Sequence, residues 1–369
     1  MNKIRNFSIF AAIVAFVMIG FACSGAPLSG TSDGGDGSGA MRLQGSGASF
    51  PKPIYEKWVN EYQKVDPNVR IDYQSTGSGA GQKAILSRTV DFGASDDPMK
   101  DEDLSKADGE LMHIPTVLGA VVMTYNLDGV DKPLKLTAEN IAGIYLGEIK
   151  KWNDPKLAAD NPDANLPDKA IFPVYRADSS GTTAVFTDFL AARVPAFKDK
   201  VGASKQPNWV EGVGSGQPRN DGVMGLVKQT PFSIGYVEIA FAKANDLPTA
   251  LIKNPAGNFV EATIENVSAA AAGSAAKMPA DMRISITNAD GENSYPISSY
   301  TYILVYKDQK DARKGKALAE FLWWAVHDGS QFAKDLHYAP LPQEVVAKVE
   351  EKLKSITSGG NVLLENPGK

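Results

Sequence analysis

Three short stretches place small hydroxyl residues and glycines directly ahead of a helical pattern: GSGASF at 45–50, STGSGAG at 75–81 and DSSGTT at 178–183. The start of a helix carries backbone N–H groups without partners and the positive end of the helix dipole, so it attracts anions. Glycine lets the backbone approach closely, and Ser and Thr add hydroxyl donors. The same residues are also ordinary caps and turn formers, so each turn taken alone is either a plain cap or an anion cradle. Arg176 stands two residues ahead of Asp178. On an extended segment two such side chains point to one side. Asp178 can then aim the guanidinium fork at an oxyanion, or the two can form a surface ion pair of little consequence.

Other chemistry has weaker support. The three histidines, His113, His327 and His337, form no H-E-x-x-H pattern and lie near no Ser motif. His113 sits in an apolar run and reads as structural. No Walker A sequence is present, and no cofactor or metal is expected. GTSDG at 30–34 fits G-x-S-x-G but lacks the strand and helix that motif needs. Asp96 and Asp97 are a possible acid/base pair, while Asp97-Pro98 also reads as a helix cap followed by Pro at the first helical position. The Trp323-Trp324 pair reads as core or interface packing.

The elements that must position these residues alternate between strand and helix. MRLQ leads through the first glycine turn into a helix whose face carries Ile54, Tyr55, Trp58 and Tyr62. NVRIDYQ (68–74) alternates like a strand, and the second glycine turn and a helix follow. VDFGASDDP (90–98) reads as a short strand and a turn, and IFPVYR (171–176) as a strand running into the third turn. Helices are expected over 137–147, 312–336 and the start of 262–286, and a strand opens 233–243. Two long extended runs, 114–127 and 295–308, are candidates for strands crossing between two lobes. Such alternation implies α/β units with ligands at the carboxyl ends of the strands.

The 369 residues are enough for two domains, and 43% hydrophobic with 22% charged residues describes a globular chain. Lys3 and Arg5 precede the apolar run FSIFAAIVAFVMIGFA (7–22), which ends at Cys23. This is the layout of an export signal, although the run also has the length of a short membrane helix. Cys23 is the only cysteine, so no intramolecular disulfide can form. It is either a lipid-attachment site or is removed with the signal. Residues 24–40 are rich in Gly and Ser and read as a flexible tether. The formal net charge is −5, and removal of residues 1–22 takes away two cations and no acid. The exported part is therefore acidic and has no Lys/Arg cluster, which argues against nucleic-acid binding.

The segments GSGASFPKPIYEKW, YQSTGSGAG, VDFGASDDP, IPTVLGAVVMTYN, YRADSSGTTAVFTDFL and GYVEIAFAK together resemble, in order, the phosphate-binding proteins of bacterial phosphate ABC transporters. The resemblance runs from about residue 42 to 345. It implies an α/β, two-lobed periplasmic-binding-protein fold of type II, with two α/β domains joined by two crossing strands. It also implies inorganic phosphate in the cleft and delivery to the transmembrane permease subunits of a phosphate ABC transporter. The implied phosphate contacts fall on Ser49, Phe50 (backbone N–H), Ser78, Asp96, Arg176, Ser180, Gly181 (backbone N–H) and Thr182, with Asp178 supporting Arg176. The expected organisation is a signal peptide over 1–22 and a lipidated Cys23 with its linker over 23–41. One lobe comprises 42–116 plus 297–369, and the other 117–296. The expected protein is a monomeric, non-enzymatic solute-binding lipoprotein, in the periplasm or at the cell surface and held to a membrane through Cys23. The alternative reading is a secreted phosphomonoesterase on the same scaffold.

Overall fold

The central strand of the molecule, Leu111–Tyr125, is buried at every position and reads as a nearly continuous apolar run, the pattern of a strand covered on both faces. It belongs to an eight-stranded sheet in a computed structural model that describes residues 40–130 and 132–365. In chain order the strands are β1 (Met41–Gly47), β2 (Val69–Ser75), β3 (Phe92–Ser95), β4 (Leu111–Tyr125), β5 (Phe172–Arg176), β6 (Ser215–Gln217), β7 (Ser233–Glu238) and β8 (Ser298–Tyr306). Their order across the sheet is β2-β1-β3-β8-β4-β7-β5-β6. The first two thirds of β4, Leu111–Ala120, pair antiparallel with β8, and its last five residues pair antiparallel with β7. One strand thus carries the sheet from one α/β half into the other, with parallel strands β1, β2 and β3 on one side and β5, β6 and β7 on the other.

Pro115 lies inside β4, where a missing N–H would ordinarily break a ladder. The register accommodates it. Thr301 faces Val117 and Tyr302 faces Pro115, so Thr116 is the extra residue of a bulge. Its hydroxyl lies 2.8 Å from the Tyr55 hydroxyl and 3.2 Å from the Thr301 carbonyl.

The expected elements are present, with three corrections. Met41, placed at the end of the tether, is the first residue of β1 and pairs with Val69. Asp97 caps nothing. The next helix begins only at Asp101, after Lys100, and Pro98 is not in it. The helical pattern over 312–336 breaks at His327, where the α-helix Ala312–Val326 gives way to short 3₁₀ turns. His113 is structural as read. Its Nε2 accepts the Met99 N–H at 3.0 Å, and burial pushes its pKa down to about 3, so the ring is neutral. The expected signal, Cys23 and residues 24–39 of the tether lie outside the described residues. Among the described residues no helix is long and apolar enough to cross a membrane.

Candidate functional site

The three glycine turns meet where the two halves of the sheet face each other. β1 ends at Gly47 and leads through Ser49 and Phe50 into α1 (Lys52–Val65). Gly47 has φ +152, and a Cβ there would lie 2.1 Å from the Ala94 carbonyl, so only glycine fits against β3. β2 leads through Gly77 into α2 (Ser78–Leu86), β3 ends beside Asp96, and β5 ends at Arg176. The third turn opens α3 (Gly181–Arg193), whose N-cap is Ser180 with its Oγ accepting the Thr183 N–H at 3.1 Å. Each site residue therefore sits at the carboxyl end of a strand or in the first turn of the next helix.

All eight expected contact residues are buried, among them Arg176 at 2% exposure and Asp96 at 1%. Hydrogen bonds join them within each half and, from Gly181 to Ser78, between the halves. The Gly181 N–H donates to Ser78 Oγ at 3.0 Å, Ser78 Oγ lies 3.5 Å from Asp96 Oδ2, and Arg176 Nη1 lies 3.5 Å from Thr182 Oγ1. A Cβ on Gly181 would stand 2.6 Å from Ser78 Oγ and 2.7 Å from Asp96 Oδ2, so this crossing requires glycine. Another crossing bond runs from the Gly79 N–H to the Ser179 carbonyl at 3.0 Å.

Charge in this site is arranged by partners. Asp178 accepts from Arg176 Nε and Nη2 and from the Arg219 backbone N–H. Burial pushes the Asp178 carboxyl up, but the bonds and charge of Arg176 outweigh this and hold it below its usual range. Asp96 goes the other way. Burial raises its pKa to about 7, against the Thr301 hydrogen bond at 2.8 Å and the Arg176 charge. Glu238, fully buried behind the site, is held well above its usual range by burial. Its Oε2 accepts the Ala240 N–H at 2.9 Å and lies 3.0 Å from Tyr338 Oη, which also reaches the Phe50 carbonyl at 2.6 Å.

Asn220 and Lys205, like Thr301, had not been expected in this constellation. Asn220 is fully buried in the first turn of α4 (Arg219–Gln229) and contacts both Ser49 and Thr182. Lys205 reaches across to Gln82 Oε1 at 2.6 Å and Asp97 Oδ2 at 3.3 Å, at a cleft of about 560 Å³ whose lining includes Lys100, Ser179 and Asp188. Asp97 is thus a partner of Lys205. A signal for Asn220 was present in Pro218, which stands directly before the helix and marks its start. Among the described residues no cluster of His, Cys, Asp and Glu could hold a metal ion.

A PBP superfamily domain matches residues 27–328. The chain is 43% identical over 317 residues to the phosphate-binding protein PstS of Pasteurella multocida (strain Pm70), covering 86% of this chain and 91% of that protein. It is 42% identical over 318 residues to PstS of Haemophilus influenzae (strain ATCC 51907 / DSM 11121 / KW20 / Rd), covering 86% and 93%. Among solved structures, the phosphate-binding protein from Stenotrophomonas maltophilia matches with a TM-score of 0.65 at 23% identity, over 84% of this chain and 93% of that one, a likeness of fold.

Proposed function

The chain belongs to the PBP superfamily and, within it, to the phosphate-binding proteins, and from that premise we propose that it captures inorganic phosphate between its two halves and delivers it to the permease of an ABC transporter. The observation that carries this reading is the buried Arg176, clamped by Asp178 and brought to the N-terminus of α3 opposite the carboxyl of Asp96. A guanidinium and a helix start supply positive charge and N–H donors for an oxyanion. Asp96 supplies an acceptor for a ligand that still carries a proton. The phosphate contacts are then Ser49, the Phe50 N–H, Ser78, Asp96, Arg176, Ser180, the Gly181 N–H and Thr182.

The ligand closes two lobes, 42–116 plus 297–369 and 117–296, because only the closed arrangement brings both sets of donors to one anion. The change of partner along β4 at Ala120/Val121 supports this division. The protein works as a monomer outside the cytoplasmic membrane, held through Cys23, with the Gly/Ser stretch as its tether. Titration calorimetry with phosphate, sulfate and arsenate tests the binding reading. Heat with phosphate and none with sulfate is expected, and no heat with phosphate overturns it. Incubation with 4-nitrophenyl phosphate separates it from a phosphomonoesterase, since a binding protein releases no nitrophenol.

A further inference from the structure

Asn220 is absent from the expected contacts, yet it is the residue that links a hydroxyl of one half to a hydroxyl of the other. Its Oδ1 accepts the Glu238 backbone N–H at 3.0 Å, and this donor fixes which way the amide faces. Nδ2 therefore points the opposite way, toward Ser49 Oγ at 3.0 Å and Thr182 Oγ1 at 3.2 Å. An amide NH₂ has two hydrogens, and both are taken by these hydroxyls. The Asn220 backbone N–H adds a second bond to Ser49 Oγ at 3.1 Å. It is aimed there by the turn at Arg219, whose φ of +59 lies in the left-handed region that non-glycine residues rarely adopt.

A hydroxyl has one proton and two lone pairs. Ser49 Oγ receives two N–H donors from Asn220, and its proton is what remains to give. Thr182 Oγ1 receives Asn220 Nδ2 and faces Arg176 Nη1 at 3.5 Å, with the same result. Asn220 itself has no hydrogen left for a ligand. It acts through its neighbours.

We propose that Asn220 is a positioning residue that turns two hydroxyl protons toward the anion, that of Thr182 within its own half and that of Ser49 once the two halves meet. The proposal rests on the reading of this site as a phosphate cage. Ser49 lies on the β1–α1 turn, whereas Thr182 and Asn220 lie on α3 and α4 of the other half. Closure therefore gives Ser49 a donor of fixed direction instead of a hydroxyl free to present a lone pair, whereas Thr182 is held by Asn220 within its own half.

The test is phosphate titration of the mature protein and of Asn220→Ala, Asn220→Asp, Ser49→Ala and the Ser49→Ala/Asn220→Ala double variant. Asn220→Ala should weaken phosphate binding about tenfold in the parent and only about threefold once Ser49 has lost its hydroxyl. Asn220→Asp keeps the shape and the Glu238 contact, but its carboxylate only accepts. It draws both hydroxyl protons away from the anion and should be the more damaging change. A purely structural Asn220 gives the opposite order, with the isosteric Asp milder than Ala. That order, or an equal Asn220→Ala factor with and without the Ser49 hydroxyl, overturns the proposal. A parent protein that binds no phosphate overturns the functional reading beneath it as well, so the two failures are told apart.

Discussion

Asp178 holds Arg176 at two points, accepting from Nε at 2.8 Å and from Nη2 at 2.6 Å. The fork is thereby occupied on one edge, and Nη1 is left to face Thr182. Arg176→Ala removes the charge-assisted bonds from that edge, each worth about 1.5–3 kcal/mol. Phosphate affinity should fall by about one to two decades. Arg176→Lys should recover only part of the loss, because an ammonium lacks the planar fork. Calorimetric titration reads both, and an Arg176→Ala affinity close to that of the parent counts against the role.

Asp96 gives two outcomes from one variant. A carboxylate that only accepts repels a fully ionised sulfate and welcomes a ligand with an O–H to donate. Asp96→Asn should raise sulfate binding relative to phosphate, read by competition between the two anions.

The second outcome follows from the closed arrangement, in which Asp96 is buried. The Asp96 pKa is raised from 3.8 to about 7 by burial, so the folded state holds a proton that the unfolded chain has released. Its contribution is present in full below pH 4 and is lost as pH rises through 7. Asp96→Asn should therefore be more stable than the parent at pH 8 by about 1–4 kcal/mol, with the gap closing toward pH 4. Urea unfolding across that range measures it, and a gap independent of pH would show that the carboxyl is not desolvated.

Gly181 stands where a Cβ would meet Ser78 Oγ at 2.6 Å and Asp96 Oδ2 at 2.7 Å, both from the opposite half. Gly181→Ala should leave the unfolding midpoint of the ligand-free protein nearly unchanged and weaken phosphate binding at least about tenfold, because the clash arises only on closure. Small-angle scattering with saturating phosphate should show the variant more extended than the parent. An unaltered affinity would mean that the halves need not approach so closely.

Lys205 ties Gln82 and Asp97 to the other half with its own side chain partly shielded. Lys205→Ala should speed phosphate dissociation by about three- to tenfold and alter association little. Stopped-flow displacement reads this, and the effect should shrink as salt is added.

What was legible in the sequence is local. The spacing of Arg176 and Asp178 on an extended segment, the hydroxyl-rich turn before α3 and the apolar run of β4 each depend on neighbours in sequence, and each is found in the structure. The family resemblance supplied the rest of the expected cage. What escaped depends on pairings between distant residues. Asn220 meets Ser49 across 171 positions, and Lys205 meets Gln82 across 123. Thr301 reaches Asp96 across 205. The mistaken cap at Asp97-Pro98 has the same cause. A local pattern favoured a helix start, whereas the carboxyl is drawn to a lysine from the other half. Pro115 is accommodated in a central strand by the bulge at Thr116, which forms against the distant Thr301 and Tyr302.

The strand Ser298–Tyr306 lies between β3 and β4 in space but is the last of the eight in sequence. Until residue 306 of 369 has been made, β3 and β4 flank an empty slot, and each presents an unpaired edge. The sheet cannot be completed during synthesis of the first four-fifths of the chain, and its long-range pairings make completion slow once it begins. A chain still lacking this strand has no finished sheet, so whatever acts on it before residue 306 meets two open edges and not a closed fold.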